Sequence, residues 1–300
     1  MIEDTLLAQE PLIRAVFFFG MLGIMALWEW LVPSRCLSVS KPLRWGSNLG
    51  LMMLDTVLLR AIFPLAAVAF AAIAVEQGWG GFNVVELPGW LVILLSVIAL
   101  DLVIYCQHVM FHALPTLWRF HKVHHADRDF DVTTGLRFHP IEIFLSMGIK
   151  IAAITLLGAP PVAVLIFEVL LNATAMFNHG NVSLPHSVDR LLRWVLVTPD
   201  MHRVHHSVIV QETNSNYGFN LPWWDYLFGT YRASSAQGNQ GMTIGLLEYQ
   251  DTLRVAQLPW MLLLPFSSSV LLSSLSAPEL VDVEAETTPD SLSTLDHLHE

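Results

Sequence analysis

Gly89-Trp-Leu-Val-Ile-Leu-Leu-Ser-Val-Ile-Ala-Leu-Asp101-Leu-Val-Ile-Tyr105-Cys-Gln107, followed at once by His108-Val-Met-Phe-His112, is the stretch that decides how the chain folds. A helix needs about 20 predominantly apolar residues to cross the hydrocarbon core of a bilayer. This run meets that length with Asp101 as its one charged residue. It ends in two histidines at i and i+4, one turn apart on the same helix face. Asp101, Tyr105, His108 and His112 follow spacings of 4, 3 and 4 and so form a single stripe. The stretch therefore reads as a membrane span that delivers ligand-type side chains to one side of the bilayer. A carboxylate inside a span is costly without a role. Asp101 either orients a ligating imidazole or bonds a neighbouring helix, and Tyr105 stands beside it below the histidines.

Outward from this run, similar apolar stretches extend roughly from Leu12 to Val32 and from Val57 to Val75. The first is longer than a signal-peptide core and has no basic leader, so it is expected to be retained. In the second, Arg60 is near enough to an end to snorkel and Pro64 predicts a kink. Two shorter runs, Ile141 to Leu157 and Val162 to Phe177, flank Gly158-Ala-Pro-Pro161, which reads as a tight hairpin between antiparallel helices. They either cross or form a re-entrant pair. Lys150 and Glu168 fall at similar depth in the two arms and are expected to pair, the alternative being contact with a substrate headgroup. Leu258 to Leu275, broken by Pro265 and serines, reads as an interfacial helix. From Ala277 onward the chain is too polar to bury a core and is expected to be disordered.

Composition agrees with a membrane protein. Hydrophobic residues make up 54% of the 300 and charged residues 14%, against about 25% charged in an average soluble domain. The net charge of -11 comes largely from the carboxyl-terminal tail, where residues 278–300 hold Glu279, Asp282, Glu284, Glu286, Asp290, Asp296 and Glu300 and no Lys or Arg. No basic stripe points to nucleic acid. Cys36 and Cys106 are too far apart in sequence to suggest a disulfide framework or thiolate site. With five spans, the connections on one side receive nearly every Lys and Arg, from Arg35 to Arg254, and the other side claims only Arg14. The amino terminus is therefore expected outside and the histidines in the cytosol.

The expected fold is all-α, a multi-pass membrane helical bundle of about four to five spans with a cytosolic helical cap carrying a His-rich di-metal site. Residues 1–100 read as amino-terminal transmembrane helices, 101–235 as the catalytic region, 236–276 as an interfacial helical segment and 277–300 as an acidic tail.

The histidines carry the chemistry. Of 13, eleven lie between residues 108 and 206. After His108 and His112 come His121-Lys-Val-His124-His125 and then His202-Arg-Val-His205-His206, each with imidazoles at i, i+3 and i+4. Neutral imidazole binds divalent first-row metals well, and so many nitrogens exceed what one ion can take. A structural zinc needs only four ligands. Two metals are implied.

The motifs resemble those of the fatty acid hydroxylase and sterol desaturase superfamily, integral membrane non-haem di-iron oxygenases, from about Asp101 to Arg232. The pieces are His108 to His112, Leu117-Trp-Arg-Phe-His-Lys-Val-His-His125, Arg137-Phe-His-Pro-Ile-Glu142 and Asn178-His-Gly-Asn181, then Thr198-Pro-Asp-Met-His-Arg-Val-His-His-Ser207, Asn216-Tyr-Gly218 and Trp224-Asp-Tyr-Leu-Phe-Gly-Thr230. The resemblance implies that His108, His112, His121, His124, His125, His202, His205 and His206 are iron ligands, with His179 where the family has another. Ala175 stands where some relatives have a further histidine. His139 is the candidate replacement, or else a hydrogen-bond donor beside the site. Glu142, Asn181 and Asp225 read as supporting polar residues. Asp225 equally suits a helix cap.

The resemblance further implies two iron ions with O2 as co-substrate, and hydroxylation or desaturation of an unactivated C–H bond of a membrane lipid such as a sterol or fatty acyl chain. The one His-Pro, at His139, is followed by Ile-Glu rather than Gly-Gly. Electrons are accordingly expected from a separate donor, cytochrome b5-like, a ferredoxin or a reductase. The expected location is a bacterial inner membrane or the endoplasmic reticulum. The competing functions are a metal transporter or sensor that uses the same clusters, and an inactive member of the family.

Overall fold

Pro11, Pro42, Pro115, Pro140, Pro161 and Pro199 each stand in the first turn of a helix, where the missing N–H would have no partner in any case. These prolines punctuate an all-helical chain. The computed structural model describes residues 2–63 and 66–267. In order, the helices are α1 (Ile2–Ala8), α2 (Glu10–Leu31), α3 (Lys41–Ile62), α4 (Ala67–Glu76), α5 (Gly89–Ala113), α6 (Pro115–His125), α7 (Pro140–Leu157) and α8 (Pro161–Asn178). They are followed by α9 (His186–Leu192), α10 (Pro199–His205), α11 (Val210–Thr213), α12 (Trp223–Phe228), α13 (Gly238–Gly241) and α14 (Leu258–Leu263). Among the described residues the one β pairing is an isolated bridge between Ser207 and Ile244.

Five stretches are long and apolar enough to cross a membrane: Glu10–Leu31, Lys41–Glu76, Gly89–Ala113, Pro140–Leu157 and Pro161–Asn178. Both arms of the α7–α8 hairpin qualify. In α8, 56% of the apolar window is buried, against 6% in α2, so α8 is the centre of the bundle and packs on α2, α4 and α5. Gly158 ends α7 in the left-handed region at φ 70°, where a side chain would be strained. A Cβ there would also meet Asn83 and the Trp79 carbonyl, so the hairpin tip and the 78–83 loop lie directly on one another.

Lys150 Nζ donates to Glu168 Oε1 at 2.7 Å, as the shared depth predicts. The structure adds a partner from α2, because Arg14 bonds the other carboxylate oxygen of Glu168. Removing one member of a buried pair leaves an uncompensated charge and costs about 3–5 kcal/mol. The triad thus ties α2, α7 and α8 together.

The second span differs from its expected start at Val57. Its first helix begins at Lys41 and buries Arg44, Ser47, Asn48 and Asp55 along one side. That side is polar because it faces the cap instead of lipid. Arg44 donates to Asp127 at 2.7 and 2.8 Å, to Thr134 at 3.1 Å and to Asp131. Burial alone would raise the Asp127 pKa, but the Arg44 guanidinium brings it down to about 2. The loop after α6 is thereby anchored to α3. The kink at Pro64 lies outside the described residues, as do the rest of the Leu258 to Leu275 stretch beyond Ser267 and the acidic tail.

Candidate metal centre

Each histidine triplet sits at the end of a helix, on α6 and on α10 with the residue that follows it. On a helix, i+3 and i+4 flank i on opposite sides and diverge from each other by about 100°. The structure uses this offset twice, crosswise. His121 and His125, an i and i+4 pair, join His108 and His112 of α5, while the intervening His124 points to the other side. From α10, His202 and His206 join His124 and His179, and the intervening His205 goes to the first group. The result is a five-histidine group, His108, His112, His121, His125 and His205, and a four-histidine group, His124, His179, His202 and His206. Within each group the nearest ring nitrogens lie within 4.8 Å of one another. The groups abut, with the His125 and His206 rings stacked at 4.6 Å.

Hydrogen bonds fix which nitrogen faces inward. Nδ1 of His108 donates to the Tyr217 carbonyl at 2.8 Å and Nδ1 of His205 to the Ser215 carbonyl at 2.7 Å. Nδ1 of His121 bonds Glu142 Oε1 at 2.6 Å, and Nδ1 of His112 bonds Asn214 Oδ1 at 3.2 Å. In a neutral ring whose proton is on Nδ1, Nε2 presents a bare lone pair. Yet Nε2 of His108 and Nε2 of His121 face each other at 3.2 Å, and those of His112 and His125 at 3.1 Å. In the second group His179 Nδ1 donates to the Ala175 carbonyl at 2.8 Å, and its Nε2 faces those of His124 and His202 at 3.2 and 3.1 Å. Converging lone pairs repel unless a cation shares them. Imidazole nitrogens about 3 Å apart have the separation of neighbouring ligands on an ion that binds them at about 2.0–2.1 Å.

Burial and then the neighbouring imidazoles hold His124, His125, His202, His205 and His206 well below the usual histidine pKa. Burial brings His179 to about 4. All six are neutral at pH 7, the form that binds metal. Nε2 of His205 and both nitrogens of His206 are buried without a hydrogen-bond partner. A buried imidazole nitrogen with no partner is costly unless it ligates an ion. The donor set therefore fits two divalent first-row cations.

The other sequence-predicted residues stand elsewhere. His139 is outside both groups: it caps α7, with Nδ1 accepting from the Ile141 amide at 3.2 Å and Nε2 donating to the Leu262 carbonyl at 3.3 Å. Both ring nitrogens are thus occupied. The cap starts the helix whose third residue, Glu142, reaches His121, which gives the Arg137-Phe-His-Pro-Ile-Glu142 motif a local reason. Arg137 is fully buried and binds the carbonyls of Val123 and Val255. Asp101 accepts from the amides of Asn220 and Leu221 and from Trp224 Nε1 at 2.8 Å, which holds a loop to α5 instead of orienting an imidazole. Tyr105 bonds Thr230 at 2.8 Å and is separated from the histidines by Tyr217. Asp225 accepts from the amides of Tyr217 and Gly218, each at 2.8 Å, and so shapes the loop that supplies three of the acceptors. Asn181 bonds the backbone of Arg35 on both sides.

Sequence reasoning missed Asn214, Ser215 and Ala175, since two of them act through carbonyls that any residue carries. Gly135 was also missed. It passes so close to the second group that a Cβ would lie 2.7 Å from the Ala175 carbonyl and 3.1 Å from His179 Nδ1.

A helical membrane protein with two buried histidine groups at the end of its spans is the class that this geometry defines. Residues 93–230 match the fatty acid hydroxylase family, and through this region the chain is similar to its members. The chain is 34% identical over 140 residues to an ornithine lipid hydroxylase of Rhizobium tropici, a match covering 46% of the chain and 41% of that protein. It is 28% identical over 243 residues to an alkylglycerol monooxygenase of Xenopus tropicalis, covering 76% of the chain and 49% of the relative. It is 28% identical over 145 residues to human cholesterol 25-hydroxylase, covering 48% and 52%. The chain thus spans about half the length of these three relatives. No solved structure matches it.

Proposed function

We propose that this protein is an O2-dependent oxygenase that hydroxylates an unactivated C–H bond of a membrane lipid at a centre of two iron ions. The observation that carries the reading is the set of inward-facing Nε2 lone pairs, two of which meet at 3.2 Å between His108 and His121. The five-histidine group would hold one ion and the four-histidine group the other, with His139 outside the ligand set. Bound iron supplies O2 activation and the electron transfer that cleavage of a strong C–H bond requires. The chain supplies geometry. Glu142, Asn214 and the Ser215 and Tyr217 carbonyls hold the protons on Nδ1 and aim four rings inward. Phe130 and Phe138 lie against His179 and His124 and keep water from that side. Hydroxylation is preferred to desaturation because these relatives are named for adding oxygen to lipids.

Two electrons per turnover are proposed to come from a separate donor, cytochrome b5-like, a ferredoxin or a reductase, docking on the histidine side. That side is proposed to be cytosolic, in a bacterial inner membrane or the endoplasmic reticulum. The test is elemental analysis of protein purified in mild detergent, joined to lipid analysis of cells expressing the wild type or His205→Ala. About two irons per chain, with a hydroxylated lipid that disappears in the variant, is the expected result. Folded protein without metal, or metal uptake into proteoliposomes, would overturn it.

A further inference from the structure

The helices α9 and α12 are built inside out for a water-facing cap. Their acidic residues Asp189 and Asp225 are buried, while Leu191, Trp223, Leu227 and Phe228, with Trp194 and Val195 just after α9, are exposed, Leu191 and Leu227 at 71% and 68%. The two helices share one surface: Trp194 stacks on Tyr226 at 5.8 Å, and Trp223 Nε1 donates to the Trp194 carbonyl at 2.6 Å.

Contacts with two different helices place the segment leading into α12, on which α9 rests, along the membrane normal. Trp224 and Leu221 bond Asp101 of α5, which precedes His108 by seven residues, or about 10 Å at 1.5 Å per residue. Asn220 bonds Thr174 of α8, which precedes His179 by five residues, or about 8 Å. Both contacts lie within stretches that qualify as membrane spans. The segment that carries α12 therefore runs beside α5 on the bilayer side of the histidines, continuous with the lipid-facing surface of that helix.

The backbone of residues 193–197 and the inward polar groups are satisfied internally, as immersion in hydrocarbon requires, and the exposed polar residues of this surface, His186, Ser187 and Arg190, gather on α9. The amides of residues 193–197 all find carbonyl partners, Val197 bonding Asn220 at 2.9 Å. Tyr226 donates to the Arg193 carbonyl, Trp224 to Asp101 and Thr230 to Asp225. Arg193 pairs with Asp189 at 2.8 Å and donates to the Ala233 carbonyl. Arg190 is exposed on α9 and long enough to reach lipid phosphates.

We propose that α9, α12 and residues 193–197 form a wedge immersed in the bilayer half nearest the histidines, its apolar edge in contact with the acyl chains of membrane lipids. Behind that edge Phe228 stacks on Tyr105 at 5.4 Å, and Tyr217 lies between Tyr105 and His108. A lipid chain lying beside α12 is thus an aromatic layer away from the metal centre.

The experiment places a nitroxide label at Leu191→Cys or Leu227→Cys, with Cys36 and Cys106 changed to Ser, in nanodiscs of phosphatidylcholine and phosphatidylglycerol. Collision with O2 and with chromium oxalate is then compared by power saturation. A label at Leu94→Cys, exposed on α5, serves as the lipid reference, and one at Gln237→Cys, exposed in the cap, as the water reference. Both wedge positions should favour O2 over chromium oxalate as Leu94→Cys does. A ratio equal to that of Gln237→Cys at either position would overturn the proposal. All of the labelled side chains are exposed, so the substitutions leave the core intact, and the result does not depend on turnover or on bound metal.

Discussion

The two histidine groups differ in what stands behind the rings. In the five-histidine group, four of the Nδ1 atoms have acceptors, at Tyr217, Asn214, Glu142 and Ser215. In the four-histidine group only His179 has one, while Nδ1 of His124, His202 and His206 has none. There the rings are placed by stacking: His124 lies on Phe138 at 4.5 Å, His179 on Phe130 at 5.5 Å and His206 on His125 at 4.6 Å. Hydrogen bonds fix tautomer as well as orientation, whereas stacking fixes the ring plane and leaves the proton free to choose a nitrogen. In the proposed two-ion centre the first group is therefore preorganised for its ion and the second is completed by its ion. The first ion should bind more tightly, and a chelator should remove the second ion first.

The largest effect expected is loss of a ligand. His202→Ala should abolish product formation and lower the metal from about two ions to about one per chain, whereas His121→Ala should abolish product formation and remove the tighter ion. Equal metal content and equal chelator kinetics in the two variants would break the comparison. Next in size is loss of an acceptor. Glu142→Ala should weaken the tighter ion by about 10–100-fold, the usual cost of removing a residue that orients a ligating histidine. Glu142→Gln, which keeps an acceptor oxygen, should recover much of this in a metal-competition titration.

Gly135→Ala acts on the other group. Its Cβ would press on the Ala175 carbonyl, the acceptor of His179, so the weaker ion should be lost while the tighter one stays, as read by metal content after dialysis. The smallest effect concerns acid. Burial lowers His179 to about 4 from the usual 6.5, so between those values the unfolded chain binds a proton that the folded one refuses. Stability is then fully present above pH 6.5 and falls as the pH drops toward 4. Chelated protein should melt at a lower temperature at pH 5.5 than at pH 7.5, and the opposite order would mean that these rings are not buried neutral.

Much of the site was legible because its chemistry is written in side chains at helical spacing. His108 and His112, and each triplet, announced clustered imidazoles on a helix face, and Lys150 with Glu168 announced a buried pair. What spacing left open was the division of rings. Each triplet splits its i+3 member from its i and i+4 pair, and that depends on how α6 and α10 face one another across the cap. His139 was ambiguous for a related reason: a histidine before proline at a helix start can cap as well as ligate, and the free Leu262 carbonyl that settles its second nitrogen comes from far along the chain. The amino-terminal half of α3 was missed because hydropathy averages over faces. Arg44, Asn48, Leu51 and Asp55 fall at helical spacing and could have been read as a buried stripe.

The crosswise sharing of the triplets has a consequence for the making of the protein. Both groups take rings from α5 or α6 and also from α10, with every membrane-spanning stretch between or before them. A nascent chain whose last span has just entered the bilayer still lacks α10, and with it His205 of one pocket and His202 and His206 of the other. Neither group is complete until the ribosome has delivered α10, so in the proposed two-ion centre full metal loading follows membrane insertion, in one late step of biogenesis.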